Sequence, residues 1–188
     1  VEAASAEEVV VEEVVVEEAA PTVDPIRVAL LLPGRVDDMS FNQMAYEGLK
    51  ALKVELGEKV ETTYTEGVYQ VVDIEPALRD YADQGYDLII GHGFQFQDPI
   101  MAVAGQYPDV NFAIGPGAFL TAPNVSLYDA SNAETGYAMG TVAGLVSDSH
   151  VLGSIGGMDV PNVHIVHEVF MISAEEMNSE TQIIHVYT

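Results

Sequence analysis

Asp37, Asp38, Ser40, Asn42 and Tyr46 crowd carboxylate, hydroxyl, carboxamide and phenol groups into one short stretch. Neighbouring carboxylates can serve as an acid–base pair, but in a loop they more often accept hydrogen bonds from a polar ligand or from a helix start. Asn42 both donates and accepts, and Tyr46 offers a ring face. A second polar stretch, Gly91-His-Gly93-Phe94-Gln-Phe-Gln-Asp98, follows an apolar run. Its glycines let backbone approach a ligand, and a helix start beyond them has free N–H donors. It lacks the third glycine and downstream acid of a dinucleotide fingerprint, and Asp98 at the helix start opposes a phosphate. No nucleophile elbow, phosphate-binding Gly-Lys loop or His-Glu-x-x-His is present, so no catalytic residue and no cofactor is assigned.

These groups need elements to hold them. Val28–Leu32 is a continuous apolar run, the pattern of a parallel strand covered on both faces. Pro33-Gly34 ends it, and Ser40 reads as the N-cap of a helix running to Leu56 and stopped by Gly57. The alternation continues with strand Val60–Tyr64, helix Asp73–Gln84, strand Asp87–Ile90, helix Asp98–Gln106, strands Asn111–Ile114 and Asn124–Tyr128, and helix Ala133–Val146. Such βαβα order predicts an α/β fold with a parallel sheet and helices on both faces, binding ligands beyond the carboxyl ends of its strands. The pattern restarts with strand Val151–Ile155, helix Asn162–Met177 and strand Gln182–Tyr187. Two strands cannot cover their own sheet faces, so residues 149–188 read as the start of a second lobe after a lobe at 26–148. Completing it would take roughly another hundred residues, and the chain is expected to be a fragment.

Residues 1–25 stand apart: Glu pairs alternate with Ala and Val on a five-residue beat that fits neither helix nor strand, as in a disordered acidic spacer. Over the 188 residues, 30 acidic side chains face 6 basic ones, a net charge of −24, with no Lys or Arg after Arg79. Such a surface repels phosphate backbones, which excludes nucleic acid as a partner, and it suits a saline or cation-rich setting. The absence of cysteine excludes disulfides and thiolate chemistry. No apolar run approaches the ~20 residues of a membrane span. Gly136, Gly140 and Gly144 are therefore expected to pack a helix closely on a sheet rather than to pair membrane helices. His164 and His167 share a helix face without enough further ligands for a metal, and read as surface or lobe-contact histidines.

The run Leu32-Pro-Gly34, Asp37-Asp-Met-Ser-Phe-Asn42-Gln and Ala45-Tyr-Glu-Gly48 resembles the basic membrane protein family, the PnrA-like substrate-binding lipoproteins of ABC transporters. Leu78 to Gly91, Gly93-Phe-Gln-Phe-Gln-Asp98, Tyr107 to Ile114, Ala122-Pro-Asn-Val125 and Gly153 to Pro161 agree in order and spacing. The resemblance implies a periplasmic-binding-protein type I fold, two Rossmann-like lobes closing on a ligand, with purine nucleosides as the ligand class and no catalysis. It implies an extracytoplasmic receptor that delivers to ABC permease subunits and is held at the membrane by an N-terminal lipid anchor not present in this chain. Carried over by motif, Asp37 and Tyr46 contact the nucleoside and Ser40 and Asn42 support the loop; Asp38, Gly93, Phe94 and Asp98, from the two polar stretches themselves, complete the expected ligand-binding set. The chain departs from the family where Pro116 stands in place of an Asp, and where Asn162-Val-His164 replaces a stretch often rich in Arg. An effector-sensing domain of a regulator shares the fold, and an α/β enzyme using Asp37 and Asp38 is the more distant alternative.

Overall fold

A computed structural model describes residues 24–117, 119–157 and 159–188, so the spacer expected at 1–25 lies almost wholly outside the described residues. The chain runs β1 (Ile26–Leu31), α1 (Phe41–Leu56), β2 (Val60–Thr65), α2 (Val71–Asp83), β3 (Leu88–His92), a 3-10 turn (Phe94–Phe96), α3 (Gln97–Ala104), β4 (Asn111–Gly115), β5 (Val125–Leu127), α4 (Asn132–Val146), β6 (Val151–Gly156), α5 (Pro161–Met177) and β7 (Gln182–Tyr187). Every expected element is present, with ends shifted by a few residues.

Five strands form one parallel sheet in the order β2-β1-β3-β4-β5. β1 lies between β2 and β3, and its unbroken apolar run is buried on both faces. Ala29 and Leu31 point to a core that α2 and α3 close, with Ile74, Leu78, Ile89, Phe96, Ile100 and Phe112. Val28, Leu30 and Leu32 point the other way, to Leu49 of α1 and Val60. After β1 the chain steps to β2 on one side, then returns to add β3, β4 and β5 on the other. That reversal opens a crevice beyond the carboxyl ends of β1 and β3, where α/β sheets bind ligands. Asn124 fastens the far side: its Nδ2 donates to the carbonyls of Ala104, Tyr107 and Val110 at 3.1, 3.0 and 2.8 Å.

The sequence led to the expectation that the glycines of α4 pack on a sheet, and they do not. They meet a helix. A Cβ at Gly136 would run into the carbonyl oxygen of Val166, one at Gly140 into that of Phe170, and one at Gly144 into that of Ala174. Three glycines at four-residue spacing thus form a groove for the matching four-residue ridge of α5, a ridge-into-groove helix packing. The expected 148/149 boundary falls just after α4, whose glycine face packs on α5. Beyond it, β6 and β7 pair in parallel from Val151↔Gln182 to Gly156↔Tyr187. Their inner face presents Ser154 to Nδ1 of His167, and the Tyr187 hydroxyl to Nδ1 of His164 at 3.0 Å. His167 is buried and His164 half-exposed beside Asp159. Among the described residues no group of three or more His, Asp or Glu is arranged to hold a metal ion, and no helix is long and apolar enough to cross a membrane.

Candidate ligand cleft

The loop between β1 and α1 is held by its own side chains. Met39, at φ 54°, turns the chain in the left-handed region, and this lets Asp38 reach over the helix start. The Asp38 carboxylate accepts from the backbone N–H groups of Ser40, Asn42 and Gln43 at 2.9, 2.9 and 3.0 Å, and from Nδ2 of Asn42 at 2.8 Å. Ser40 occupies the N-cap position but its hydroxyl makes no capping bond, so the cap expected of Ser40 is supplied by Asp38. A carboxylate is the stronger cap, because it takes several N–H donors at once and lies at the positive end of the helix dipole. Those donors, Asn42 and Gln43 foremost, hold the Asp38 carboxyl well below the usual carboxylate range.

Asn42 is buried and spends its amide on the loop as well, its Oδ1 accepting from the Gly34 N–H at 3.1 Å. A Cβ at Gly34 would stand 2.6 Å from Nδ2 of Asn42, so glycine there admits this cross-link. Asp37 takes a two-pronged bond from Arg35, at 2.8 Å to each oxygen, which lowers its carboxyl's pKa. An acid–base pair needs two groups whose pKa values are pushed apart. Here both carboxyls are pushed down, so neither retains a proton to give at neutral pH.

The remaining predicted residues divide. Tyr46 is half-buried, its ring on Tyr64 with centroids 4.8 Å apart and the Lys50 ammonium 5.3 Å from its centre, in the layer between α1 and β2. Asp98 lies exposed in the first turn of α3. Gly93 and Phe94 line a cavity of about 440 Å³ at the carboxyl edge of the sheet. Asp37, Asp38, Ser40, Asn42, Tyr46 and Asp98 do not line it. The cavity takes Pro33 and Phe41 from either end of the first loop, and Tyr69 and Gln70 from the loop after β2. Gln95 follows Phe94, Pro116 closes the end of β4, and Asn162 and Val163 come from the first turn of α5. Gly93 is at φ 132°, and a Cβ there would stand 2.6 Å from Oε1 of Gln95, so glycine lets Gln95 fold over the turn. The carboxamide of Asn162 rests against Gly117, at φ 88°, in the same way.

Sequence reasoning missed Tyr69, Gln70, Gln95 and Asn162. The first two carried a usable signal, since they follow β2 just as the first polar loop follows β1. Asn162 falls in the stretch that departs from the family pattern, but its approach to the cavity depends on how α5 lies across the sheet edge.

Beneath the cavity, His92 ends β3 and is buried. Its Nε2 lies 3.0 Å from the Phe41 carbonyl oxygen and its Nδ1 2.7 Å from the Tyr128 hydroxyl. A carbonyl only accepts, so Nε2 carries the hydrogen and Nδ1 accepts from the Tyr128 O–H. The ring also packs on Phe41, with centroids 4.0 Å apart. This neutral imidazole joins α1, β3 and the end of β5 under the ligand space. Burial pushes its pKa down, with the Phe41 carbonyl opposing in part.

A lowered folded-state pKa means that the unfolded chain binds a proton more readily at this site. The stability contributed by neutral His92 is therefore present above about pH 6.5, the value in the unfolded chain, and is lost as pH falls through the folded-state pKa. His92→Gln should cost about 1–3 kcal/mol near pH 7.5, through the disturbed bonds to Phe41 and Tyr128. The gap between wild-type and variant urea midpoints should narrow toward pH 5. A gap that stays constant over that range would show that His92 does not titrate this way.

The family model of the PnrA-like ABC transporter substrate-binding proteins matches residues 26–188. A purine-binding protein of Brucella abortus is 32% identical over 165 residues, which cover 88% of this chain and 47% of that protein. Among solved structures, a solute-binding protein of an ABC transporter system from Aeropyrum pernix superimposes with a TM-score of 0.73 at 27% identity, covering 87% of this chain and 47% of the other. A transcriptional activator of the comK gene from Bacillus halodurans gives 0.66 at 31% identity, with coverage of 86% and 53%. The chain spans about half the length of the curated relatives that it matches. The parallel sheet and its switch-point crevice are those of the periplasmic-binding-protein fold, and the chain belongs to the PnrA-like family of ABC transporter substrate-binding proteins.

Proposed function

We propose that this chain forms one wall and part of the second of a solute receptor that captures a nucleoside or a similar small ring-bearing solute for an ABC importer. The observation that carries the reading is the cavity of about 440 Å³ at the switch point of the sheet, which Phe41, Tyr69 and Phe94 help to line. That volume is within the range of small-molecule sites, and aromatic faces suit a planar ring. The head of α5 reaches the cavity from the β6–β7 side, as closure between two lobes requires. The outer faces of β6 and β7 expose Ile155 and Ile184 at 72% and 66%, which supports reading 149–188 as the opening of a second lobe. In this reading the Asp38–Asn42 network is the rigid frame of the cleft, and Asp37 lies on its outer rim. The receptor acts outside the cytoplasm, tethered by a lipid at an N-terminal cysteine ahead of this chain, and hands its ligand to permease subunits.

In the full-length polypeptide, adenosine, inosine or guanosine at a hundredfold excess over Kd should add about 2.7 kcal/mol of stability. A thermal-shift screen followed by calorimetry reads this directly. Shifts with hexoses or amino acids and with no nucleoside would overturn the ligand class. The likeness to the Bacillus halodurans activator favours the regulator reading. The net charge of −24 opposes any direct contact of this chain with DNA.

A further inference from the structure

Among the described residues no Asp, Glu, His, Lys or Arg lines the cavity. His92, directly beneath it, is of the one side-chain type that ordinarily changes charge between pH 5 and 8. Phe41 and Gly93 tie this histidine to the cavity they line. Gly93 follows it in the chain, and the Phe41 ring rests on the imidazole with centroids 4.0 Å apart. Tyr128, on the other side, stands between β5 and α4, where the chain leaves the five-stranded sheet toward α5. Its carbonyl oxygen packs so closely on Gly115 of β4 that a Cβ there would overlap it. The hydroxyl that donates to His92 is therefore carried on a fixed backbone. One imidazole thus holds a wall of the cavity and the exit that leads to the opposite wall, where Asn162 and Val163 stand.

From this we infer that His92 is a proton-sensitive positioning residue: neutral, it holds Phe41 and Tyr128 in the binding arrangement, and protonated, it weakens capture of the solute. The inference rests on the solute-receptor reading above and adds a regulation to that site. With Nε2–H given to the Phe41 carbonyl, Nδ1 is the acceptor for the Tyr128 O–H. A proton on Nδ1 turns that acceptor into a donor, so the Tyr128 hydroxyl must rotate its hydrogen away. The groups around the ring do little for the new charge. Burial holds the His92 pKa below its ordinary value, against smaller opposing pulls from the Phe41 carbonyl and the Asp38 charge. The Asp38 oxygens already accept four N–H bonds at the helix start. Burial pushes the pKa of the Tyr128 hydroxyl up, so it stays a neutral phenol, and Gly115, the β4 partner of His92, brings no ionisable group. In the empty cleft, water above Phe41 and Gly93 eases the charge. A bound solute displaces that water, so the occupied cleft disfavours the proton more than the empty one does. By reciprocity the proton opposes the solute to the same degree. Affinity is therefore full above the pKa of the empty protein and falls as pH drops through it, and binding in that range releases a proton.

The test is calorimetric titration of the full-length polypeptide with adenosine, inosine and guanosine at pH 7.5 and pH 5.0, at one ionic strength. A nucleoside that binds at pH 7.5 should bind about fivefold or more weakly at pH 5.0. At pH 5.5 its measured heat should vary with the ionisation enthalpy of the buffer, in the sense of proton release. In His92→Gln the carboxamide can donate to Phe41 and accept from Tyr128 but cannot titrate. This variant should bind with one Kd at both pH values. His164→Gln, which removes the histidine two residues beyond Asn162 on α5, should keep the wild-type dependence. If His92→Gln does not fold, the imidazole resonances of His92 in the wild type carry the test, and its pKa should fall further when the nucleoside saturates the protein. A Kd equal at both pH values, a dependence kept in His92→Gln or lost in His164→Gln, or a His92 pKa unmoved by saturation would overturn the inference while the receptor reading stands. No binding of any of the three nucleosides at pH 7.5 would overturn the nucleoside reading itself, and the inference with it.

Discussion

Gly140→Ala is expected to destabilise the protein by about 1–3 kcal/mol, although alanine is the better helix former. The same change at Gly48 should stabilise it by about 0.5–1 kcal/mol. Both glycines lie inside helices, so the intrinsic gain is the same at each. At Gly48 a Cβ meets nothing within 4 Å and the position is exposed, so the gain stands alone. At Gly140 a Cβ would overlap the Phe170 carbonyl oxygen and Oγ of Ser173. The first obstacle is backbone and cannot swing aside, so α4 must lift from α5 along the whole glycine stripe. Overpacking then outweighs propensity. Gly140→Leu enlarges the conflict and should cost more than about 3 kcal/mol. Urea unfolding of the three variants beside the wild type gives the signs, and a stabilising Gly140→Ala would show that the two helices are not in this register.

Raising NaCl from 0.1 to 1 M is expected to raise the thermal midpoint by about 10 °C. Two like charges 10 Å apart in water repel by about 0.4 kcal/mol. A chain of net charge −24 holds many more like-charged than opposite pairs, and some tens of such repulsions total an amount comparable to the ~5–15 kcal/mol that holds a domain together. Salt shortens the screening length from about 10 Å at 0.1 M to about 3 Å at 1 M, which removes most of that repulsion. It also weakens the attractive pairs, Arg35–Asp37, Lys50–Glu47, Arg79–Glu75 and Arg27–Glu61. These are few and partly or wholly exposed, and such pairs contribute on the order of 0–1 kcal/mol each, so the repulsive side decides the sign. Recovering several kcal/mol corresponds to about 10 °C for a chain of this size, at about 2–4 °C per kcal/mol. Differential scanning calorimetry across the salt series measures it. Screening saturates near 1 M whereas salting-out keeps rising, so the curvature separates the two. A midpoint that is flat or falling between 0.1 and 1 M would contradict this balance of charges.

The site was less legible than the fold. Strand and helix order could be read because each signal is carried by neighbours along the chain. The apolar run of β1 must be buried on both faces, and the spacing of Leu49 and Leu52 must place them on one side of α1. Of the residues expected from the sequence to face a ligand, Gly93 and Phe94 line the cavity, whereas the first polar loop brings only its ends, Pro33 and Phe41, to it. The loop's internal division of labour was not legible. Whether Ser40 or Asp38 caps α1 depends on the left-handed turn at Met39, and whether Tyr46 faces a ligand or Tyr64 depends on how α1 lies over β2.

By itself the sequence determined an acidic chain of alternating strands and helices, a parallel sheet with its ligand edge at the strand ends, and a family resemblance that residues 26–188 bear out. The tertiary structure alone decided that the glycines of α4 receive the backbone of α5. It alone showed that Asp38 and Asn42 are spent on the loop, and that Tyr69, Gln70, Gln95 and Asn162 meet around one uncharged cavity. Propensity and periodicity act over a few residues, whereas a cavity is formed by side chains from strands and helices far apart in the chain. Their meeting is set by sheet order and helix packing, which no local stretch of sequence encodes.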